Sequence, residues 1–329
     1  MTDPDMQQRI VDFLETSGWA DPACNVSFLA AGEYNANYRV ETSGGPRVLR
    51  INHGSQLGLG DGQIAYEYKV LEALADSGVT PKPFACHPDP AALGGGALLM
   101  EYLPGTALDY RKDLETAARI FSRIHRMPVP DGLIVQADPV MDIARESLGL
   151  IQRFPDHPKG KEKDLILAYH DEVVALAGRT RKLFANEDLC IVNTEVNSGN
   201  FLISGDGSYL VDWEKAVVSY RYQDLGHFMV PTTTLWKTDV CLSKDEKRAF
   251  LSAYHRAVCN LDASPEIDFS QLAEKTRLME RTILLRALSW CFMAWYEYTQ
   301  TQRALQNRET FNKIEQYLSD IPWILNSVA

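Results

Sequence analysis

Apolar positions change their period several times along the first hundred residues. Ile10, Phe13 and Leu14 share one face of a helix that starts near Pro4 and is stopped by Gly18. Segments 26–31, 37–42 and 47–52 then read as strands, rich in Val, Leu, Ile, Phe or Tyr, and Gly44-Gly45-Pro46 predicts a hairpin between the second and third. Beyond a glycine-rich stretch at 54–62, helical spacing returns through Ile64, Tyr68, Leu71 and Leu74 and ends at Gly78. The apolar run Ala97-Leu98-Leu99-Met100 halts at Glu101-Tyr102-Leu103-Pro104-Gly105, where Pro and Gly break any regular element. From there helices dominate. Leu114, Ala117, Ala118, Phe121 and Ile124 line one face of a helix closed off before Pro128, and 162–184 and 272–306 read as long helices. The pattern predicts an α+β protein, β-rich over 1–102 and mainly helical over 103–329, with no internal repeat.

The densest chemistry lies in Asn193-Thr194-Glu195-Val196-Asn197-Ser198-Gly199-Asn200-Phe201-Leu202-Ile203 and in Tyr209-Leu210-Val211-Asp212-Trp213-Glu214. Gly205-Asp206-Gly207 between them predicts a hairpin centred on Asp206. Asn200 and Asp212 are equidistant from that centre. An antiparallel register built on it would set them opposite one another, an amide oxygen and a carboxylate able to share magnesium, with Glu214 assisting from the outer shell. Taken singly, the same residues could be a turn cap and a solvated strand end.

Upstream, strand alternation sets Val48 and Arg50 on one face of their segment and Leu49 and Ile51 on the other. Gly32-Glu33-Tyr34-Asn35 opens a turn-prone stretch whose backbone amides could approach phosphate, though by itself it could equally be a plain hairpin turn. His125 closes an apolar helix face and reads as structural.

The net charge of -11 disfavours general affinity for nucleic acid or an anionic membrane. No apolar run reaches the roughly 18 residues of a membrane span, and the first residues are acidic where a secretory signal would be basic, so a cytoplasmic location is expected. The six cysteines form no Cys-x-x-Cys pair, and reduced thiols are expected.

Residues 26–230 resemble the aminoglycoside phosphotransferase and choline kinase families of small-molecule kinases. The stretch 193–214 is similar to their catalytic loop, His-Gly-Asp-x-x-x-x-Asn, followed by an apolar strand, a turn and Ile-Asp-Trp-Glu. The continuation to Asp224-Leu225-Gly226 matches as well, the Asp there bracing the loop in the family. Gly32 to Val40 resembles the loop that covers phosphates, Glu101 to Gly105 the hinge between lobes, and Ile124-His125-Arg126-Met127-Pro128 a helix end reading Leu-His with a nearby Pro.

The resemblance implies a protein-kinase-like, two-lobed fold that moves the γ-phosphate of ATP to a hydroxyl of a small molecule with Mg2+. It implies Glu195 as the catalytic carboxylate and Asn200 and Asp212 as metal ligands. Gly32, Asn35, Val48, Arg50, Glu67, Glu101 and Leu103 would contact or position the nucleotide, with Arg50 in the place of the protein-kinase lysine and Glu67 its partner. The chain reads Asn193-Thr194-Glu195 where the family has His-Gly-Asp. A rival expectation is therefore a non-catalytic, pseudokinase-like nucleotide-binding module. A protein kinase is the weakest reading, since His-Arg-Asp, Asp-Phe-Gly and Ala-Pro-Glu are missing. Trp290, Trp295, Tyr296, Glu297 and Tyr298 could hold a cationic acceptor on ring faces and a carboxylate, or could equally be helix packing.

Overall fold

The structure is a computed structural model that describes residues 4–22, 24–32, 34–55, 57–205, 207–260, 267–300 and 308–328, with the backbone alone at 4 and 179–181. In chain order the elements are α1 (Pro4–Thr16), β1 (Asn25–Ala31), β2 (Asn35–Thr42), β3 (Gly45–Asn52), α2 (Gln63–Leu74), β4 (Pro83–His87), β5 (Gly96–Glu101), α3 (Leu114–Ile124), α4 (Pro139–Gln152) and α5 (Gly160–Phe184). There follow β6 (Cys190–Val192), β7 (Phe201–Ile203), β8 (Ser208–Leu210), β9 (Val217–Ser219), α6 (Tyr222–Met229), α7 (Pro231–Lys237), α8 (Lys244–Cys259), α9 (Phe269–Gln300), α10 (Arg308–Ser319) and α11 (Ile321–Asn326). The expected helix over 272–306 is thus α9 as far as Gln300, and 301–306 lie outside the described residues.

The chain forms two compact units. The first comprises Met1–Thr106, Met127–Leu133 and Leu202–Ala216, and the second comprises Ala107–Arg126, Ile134–Phe201 and Val217–Ala329. In the first, a five-stranded sheet runs in the order β1-β2-β3-β5-β4, with every pair antiparallel. Ile10 and Leu14 of α1 are fully buried with Val26, Tyr38, Val40, Leu49, Ile51, Leu93, Ala97 and Leu99. Burial of each such aliphatic side chain contributes roughly 1.5–3 kcal/mol, so a short helix with little intrinsic stability is fixed by its apolar stripe. Because side chains alternate along a strand, the residues between Leu49 and Ile51 in sequence turn away from this core. Arg50 does so, opposite Leu98 in register, and bonds to α2. The chain leaves the turn that follows α2 through Gly78, whose φ of +65° only glycine adopts without cost.

The hairpin of β7 and β8 is shorter than its sequence signal. Ser204 donates its N–H to the Gly207 carbonyl at 3.0 Å, and the paired strands stop at Phe201 and Leu210. Asp206, the expected centre, lies outside the described residues. Neither Asn200 nor Asp212 is in a strand: Asn200 ends a 3-10 turn, and Asp212 has a φ of +65°. The ladder therefore does not extend to them, and the equal-distance register expected from the sequence fails. A left-handed residue cannot continue a ladder.

The second unit is mainly helical, with a small antiparallel pair of β6 and β9. Phe121, Phe201, Phe228 and Phe250 meet edge-on or tilted at centroid distances of 4.6 to 6.1 Å and form an aromatic core. Gly226 on α6 packs directly on the backbone of α9, where a Cβ would lie 2.6 Å from the Glu280 nitrogen. No side chain fits there, which accounts for the glycine in Asp224-Leu225-Gly226. Among the described residues no helix is long and apolar enough to cross a membrane.

Candidate functional site

In the first unit the chemistry gathers on residues 212–216. Arg50 Nη1 bonds Glu67 Oε1 at 2.6 Å and Asp212 Oδ1 at 2.9 Å, while its Nε donates to Asn37 Oδ1 at 3.1 Å. The Arg50 and Glu67 side chains are 7% and 1% exposed and that of Asp212 is 28% exposed, so the pair is sealed and Asp212 is its open end. Burial works against the charge on Arg50, but Glu67 foremost, then Asp212 and Glu214, raise its pKa above the ordinary arginine value. Burial pushes Glu67 upward, and Arg50 pulls it back.

Other side chains of the unit hold the rest of the segment. Asn35 donates its amide N–H to Glu214 Oε2 and accepts from Asn52 at 2.7 Å, Gln63 donates to the Glu214 carbonyl at 2.7 Å, and the Tyr66 hydroxyl donates to the Ala216 carbonyl at 2.8 Å. Gly32 donates its N–H to the Asn35 carbonyl at 2.9 Å; Glu33 between them lies outside the described residues. Val48 is buried opposite Met100, and Glu101 at the end of β5 donates its N–H to the Lys82 carbonyl at 2.9 Å, with Leu103 buried two residues on. The sequence reading missed Asn52, Gln63 and Tyr66. Asn52 continues the Val48 and Arg50 face at the same period of two, and Gln63 precedes Glu67 by one helical turn, so both were within reach of the pattern.

In the second unit, the loop 193–200 is fastened mainly through its backbone. Asp224, fully buried, accepts from the N–H groups of Asn193 at 2.9 Å and Thr194 at 3.1 Å. His125 Nε2 is 3.3 Å from the same carboxylate and its Nδ1 is 3.0 Å from the Tyr254 hydroxyl. Burial lowers the His125 pKa and Asp224 only partly restores it, so the ring is neutral, with Nε2–H directed at Asp224 and Nδ1 accepting from Tyr254. His125 is structural, as its position on the helix led us to expect. Thr194 has a φ of +67°, and its carbonyl accepts from Arg286 at 3.1 Å, a contact from α9 that no local pattern signalled. Asn193 starts an Asx turn that Glu195 closes, donating its N–H to Asn193 Oδ1 at 2.9 Å, and the Asn200 amide donates to the Glu195 carbonyl at 2.6 Å. A β-branched residue with positive φ directly before the candidate carboxylate is a strained conformation held by these contacts.

The aromatic and acidic residues of α9 have partners within the unit. Arg153 pairs with Glu297 at 3.3 Å, and Lys159 Nζ lies 4.8 Å from the centre of the Trp295 ring. Tyr296 stacks on Phe154, Tyr298 on Phe311, and Trp290 meets Trp236 edge-on at 6.0 Å. The six cysteines are all free thiols.

Solved structures share the fold across nearly the whole chain at low identity. A choline/ethanolamine kinase family protein from Mesorhizobium loti matches at 18% identity and a TM-score of 0.62, covering 98% of this chain and 99% of its own. Choline kinase from Cryptosporidium parvum Iowa II matches at 14% identity and a TM-score of 0.65, covering 97% and 96%. Spectinomycin phosphotransferase, solved with ADP and spectinomycin, matches at 13% identity and a TM-score of 0.58, covering 97% and 98%. No curated protein sequence matches. The fold is α+β and protein-kinase-like, with a β-rich N-terminal lobe and a mainly helical C-terminal lobe. The sequence profile of the phosphotransferase enzyme family matches residues 25–269, three quarters of the chain, and the protein belongs to that family.

Proposed function

We propose that this phosphotransferase family member is an active ATP-dependent kinase that phosphorylates a hydroxyl group of a small molecule. The observation that carries the reading is the buried Arg50–Glu67 pair with Asp212 at its open end. A guanidinium fixed by a sealed carboxylate is a preorganised cation for phosphate oxygens, and it needs no reorganisation when they arrive. The ADP bound in the spectinomycin phosphotransferase structure supports a nucleotide as donor. The adenine would lie beside Val48, with its edge read by the stretch from Glu101 to Leu103. Gly32 and Asn35 belong to the loop over the phosphates, where Asn35 acts through its bond to Glu214.

The donor set fits magnesium. Asp212 offers a partly exposed carboxylate, and Asn200, whose amide nitrogen is committed to the Glu195 carbonyl, offers its amide oxygen, both hard ligands of the kind the ion takes. When bound, the ion would neutralise charge on the phosphate oxygens. Glu195 would accept the proton of the acceptor hydroxyl as that oxygen bonds to the γ-phosphorus and the bond from phosphorus to the ADP oxygen breaks. Glu carries its carboxylate about one C–C bond farther out than the Asp usual in the family, and misplacement on the order of 1 Å can cost about a hundredfold in rate. The Asn193-Thr194-Glu195 sequence also favours a second reading, a nucleotide-binding module without turnover.

Release of ADP on a panel of hydroxyl acceptors, together with thermal shift by ATP with and without magnesium, separates the two. Glu195→Gln should retain the magnesium-dependent shift and lose turnover, because Gln keeps the size and cannot take the proton. Full turnover in Glu195→Gln removes Glu195 as the base. A strong nucleotide shift with no acceptor ever consumed favours the non-catalytic module.

A further inference from the structure

The helical unit holds a pocket of about 360 Å3 between the end of α7 and α10, lined by Trp236, Lys237, Thr238, Glu309, Asn312 and Lys313 among others. It adjoins the loop that carries Glu195 and Asn200: the Lys237 side chain stands 3.9 Å from where a Cβ on Gly199 would lie. Its aromatic wall is fixed, since Trp236 meets Trp290 edge-on at 6.0 Å and Tyr317 at 6.2 Å. Its size is that of a small-molecule site.

The charges around it have a clear sign. Two ammonium groups, Lys237 and Lys313, face one carboxylate, Glu309, and the other named side chains are neutral. Among the described residues neither lysine forms an ion pair, and the partner of Lys313 is the neutral Gln316 at 3.4 Å. A cation placed on the Trp236 ring would be repelled by both lysines. Two places that the sequence suggested for a cation are occupied from within the unit, Glu297 by Arg153 and the Trp295 ring by Lys159. Resting on the kinase reading, the geometry points to an acceptor that carries an anionic group, a carboxylate or a phosphate, beside the hydroxyl that is phosphorylated. Lys237 and Lys313 select the anion, and Trp236 supports the carbon skeleton.

Two measurements test this, and they fail separately. The first is quenching of Trp236 fluorescence, taken as wild type minus Trp236→Phe, by iodide, caesium and neutral acrylamide. Iodide should quench at least about twice as well as caesium once both are normalised to acrylamide, since local positive potential concentrates the anion. The preference should vanish in Lys237→Gln/Lys313→Gln, whose changes lie on the pocket surface; if Trp236→Phe does not fold, the wild type against this double variant decides. Equal quenching by the two ions, or a caesium preference, overturns the anionic assignment whether or not the protein is a kinase. The second measurement is ADP release with D-glycerate and glycerol 3-phosphate against choline and ethanolamine. The anionic compounds should be preferred, and the double variant should raise their KM by about tenfold or more, the loss typical of charge-assisted bonds, with a smaller change in kcat. Turnover of choline or ethanolamine unaffected by the double variant overturns the proposal. If no compound is turned over while iodide is preferred, the kinase reading is what fails, and the pocket remains an anion site.

Discussion

The segments 212–216 and 193–200 carry the candidate chemistry and are held by opposite means. The first is gripped by side chains from other elements, Arg50 and Asn35 at the side chains of Asp212 and Glu214 and Gln63 and Tyr66 at the carbonyls of Glu214 and Ala216. The second is fixed through its backbone, with Asp224 bridging two N–H groups and Asn193 and Asn200 closing turns on Glu195. A segment held by exposed-to-buried charge responds to whatever cation or anion competes for that charge. A segment held by its backbone keeps its geometry while its side chains change. Under the proposed function, the sheet unit would offer Arg50 and Asp212 to phosphate and metal, and the helical unit would keep the backbone of Glu195 still.

The largest expected effect breaks the first arrangement. Arg50→Met removes the cation bonded to Glu67, whose side chain is almost wholly buried, and should cost about 3–5 kcal/mol in urea unfolding, the penalty for breaking a buried pair from one side. Arg50→Lys should cost less than half as much, because both carboxylates are met through one nitrogen and only the contact to Asn37 is given up. Equal losses for the two variants would show that the guanidinium fork, not the charge, is what the unit needs.

The matching change in the second arrangement is smaller. Asp224→Asn keeps one acceptor oxygen but must present an amide N–H where a backbone N–H now points, and should cost about 1–3 kcal/mol. It should also lower turnover while leaving the magnesium-dependent nucleotide shift intact. A loss of nucleotide affinity as large as that from Arg50→Met would remove the distinction between the two segments.

The two segments also differed in how far the sequence exposed them. Period and punctuation were enough for α1, β1 to β3, α2, α3 and α5, because each buries a regular stripe or ends on a glycine or proline. The Arg50 and Glu67 pairing came from the order of motifs, and β3 and α2 bring them together as that order implies. Elsewhere the sequence reading stopped short. α6 and α7, divided at Pro231, run for eight and seven residues, too short for a helical stripe to stand out. The hairpin register failed because Asp212 leaves the ladder through a left-handed backbone, a conformation that nothing in Val211-Asp212-Trp213 signals. Return of 127–133 and 202–216 to the first unit is a matter of long-range packing, and so is the reach of Arg286 to Thr194.

Acid should weaken the helical unit's brace through His125. Burial holds this ring below the ordinary histidine value of 6.5, so below about that pH the unfolded chain binds more protons than the folded one. Stability contributed by the neutral ring is therefore present above that pH and lost as pH falls through it. His157, also lowered by burial, adds to the same slope. The informative quantity is the difference: His125→Gln should be less stable than wild type at pH 8 and should lose less further stability between pH 7 and 5. Parallel curves for the two proteins would mean that His125 titrates alike in the folded and unfolded chain, and a wild type that loses less than the variant would mean that the ring is protonated in the fold and pairs with Asp224 as an ion.

The smallest effect concerns the strain beside Glu195. Thr194 and Asp212 both have positive φ, +67° and +65°, so each segment passes through one left-handed residue next to or at its candidate carboxylate. Only at Thr194 can the backbone be tested without touching a proposed ligand. A β-branched residue in this region costs on the order of 1–3 kcal/mol, whereas glycine adopts it freely but gives up roughly 0.5–1 kcal/mol of unfolded-chain entropy. Thr194→Gly should therefore stabilise the protein by about 1 kcal/mol relative to Thr194→Ala, a comparison that cancels the loss of the hydroxyl because both variants lack it. Turnover should move the other way: if the strained turn aims Glu195, the freer glycine backbone should lower kcat severalfold while the alanine variant, still confined by its Cβ, stays nearer to wild type. A glycine variant no more stable than alanine would show that the loop is relaxed. A glycine variant both more stable and fully active would show that the strain is incidental to the position of Glu195.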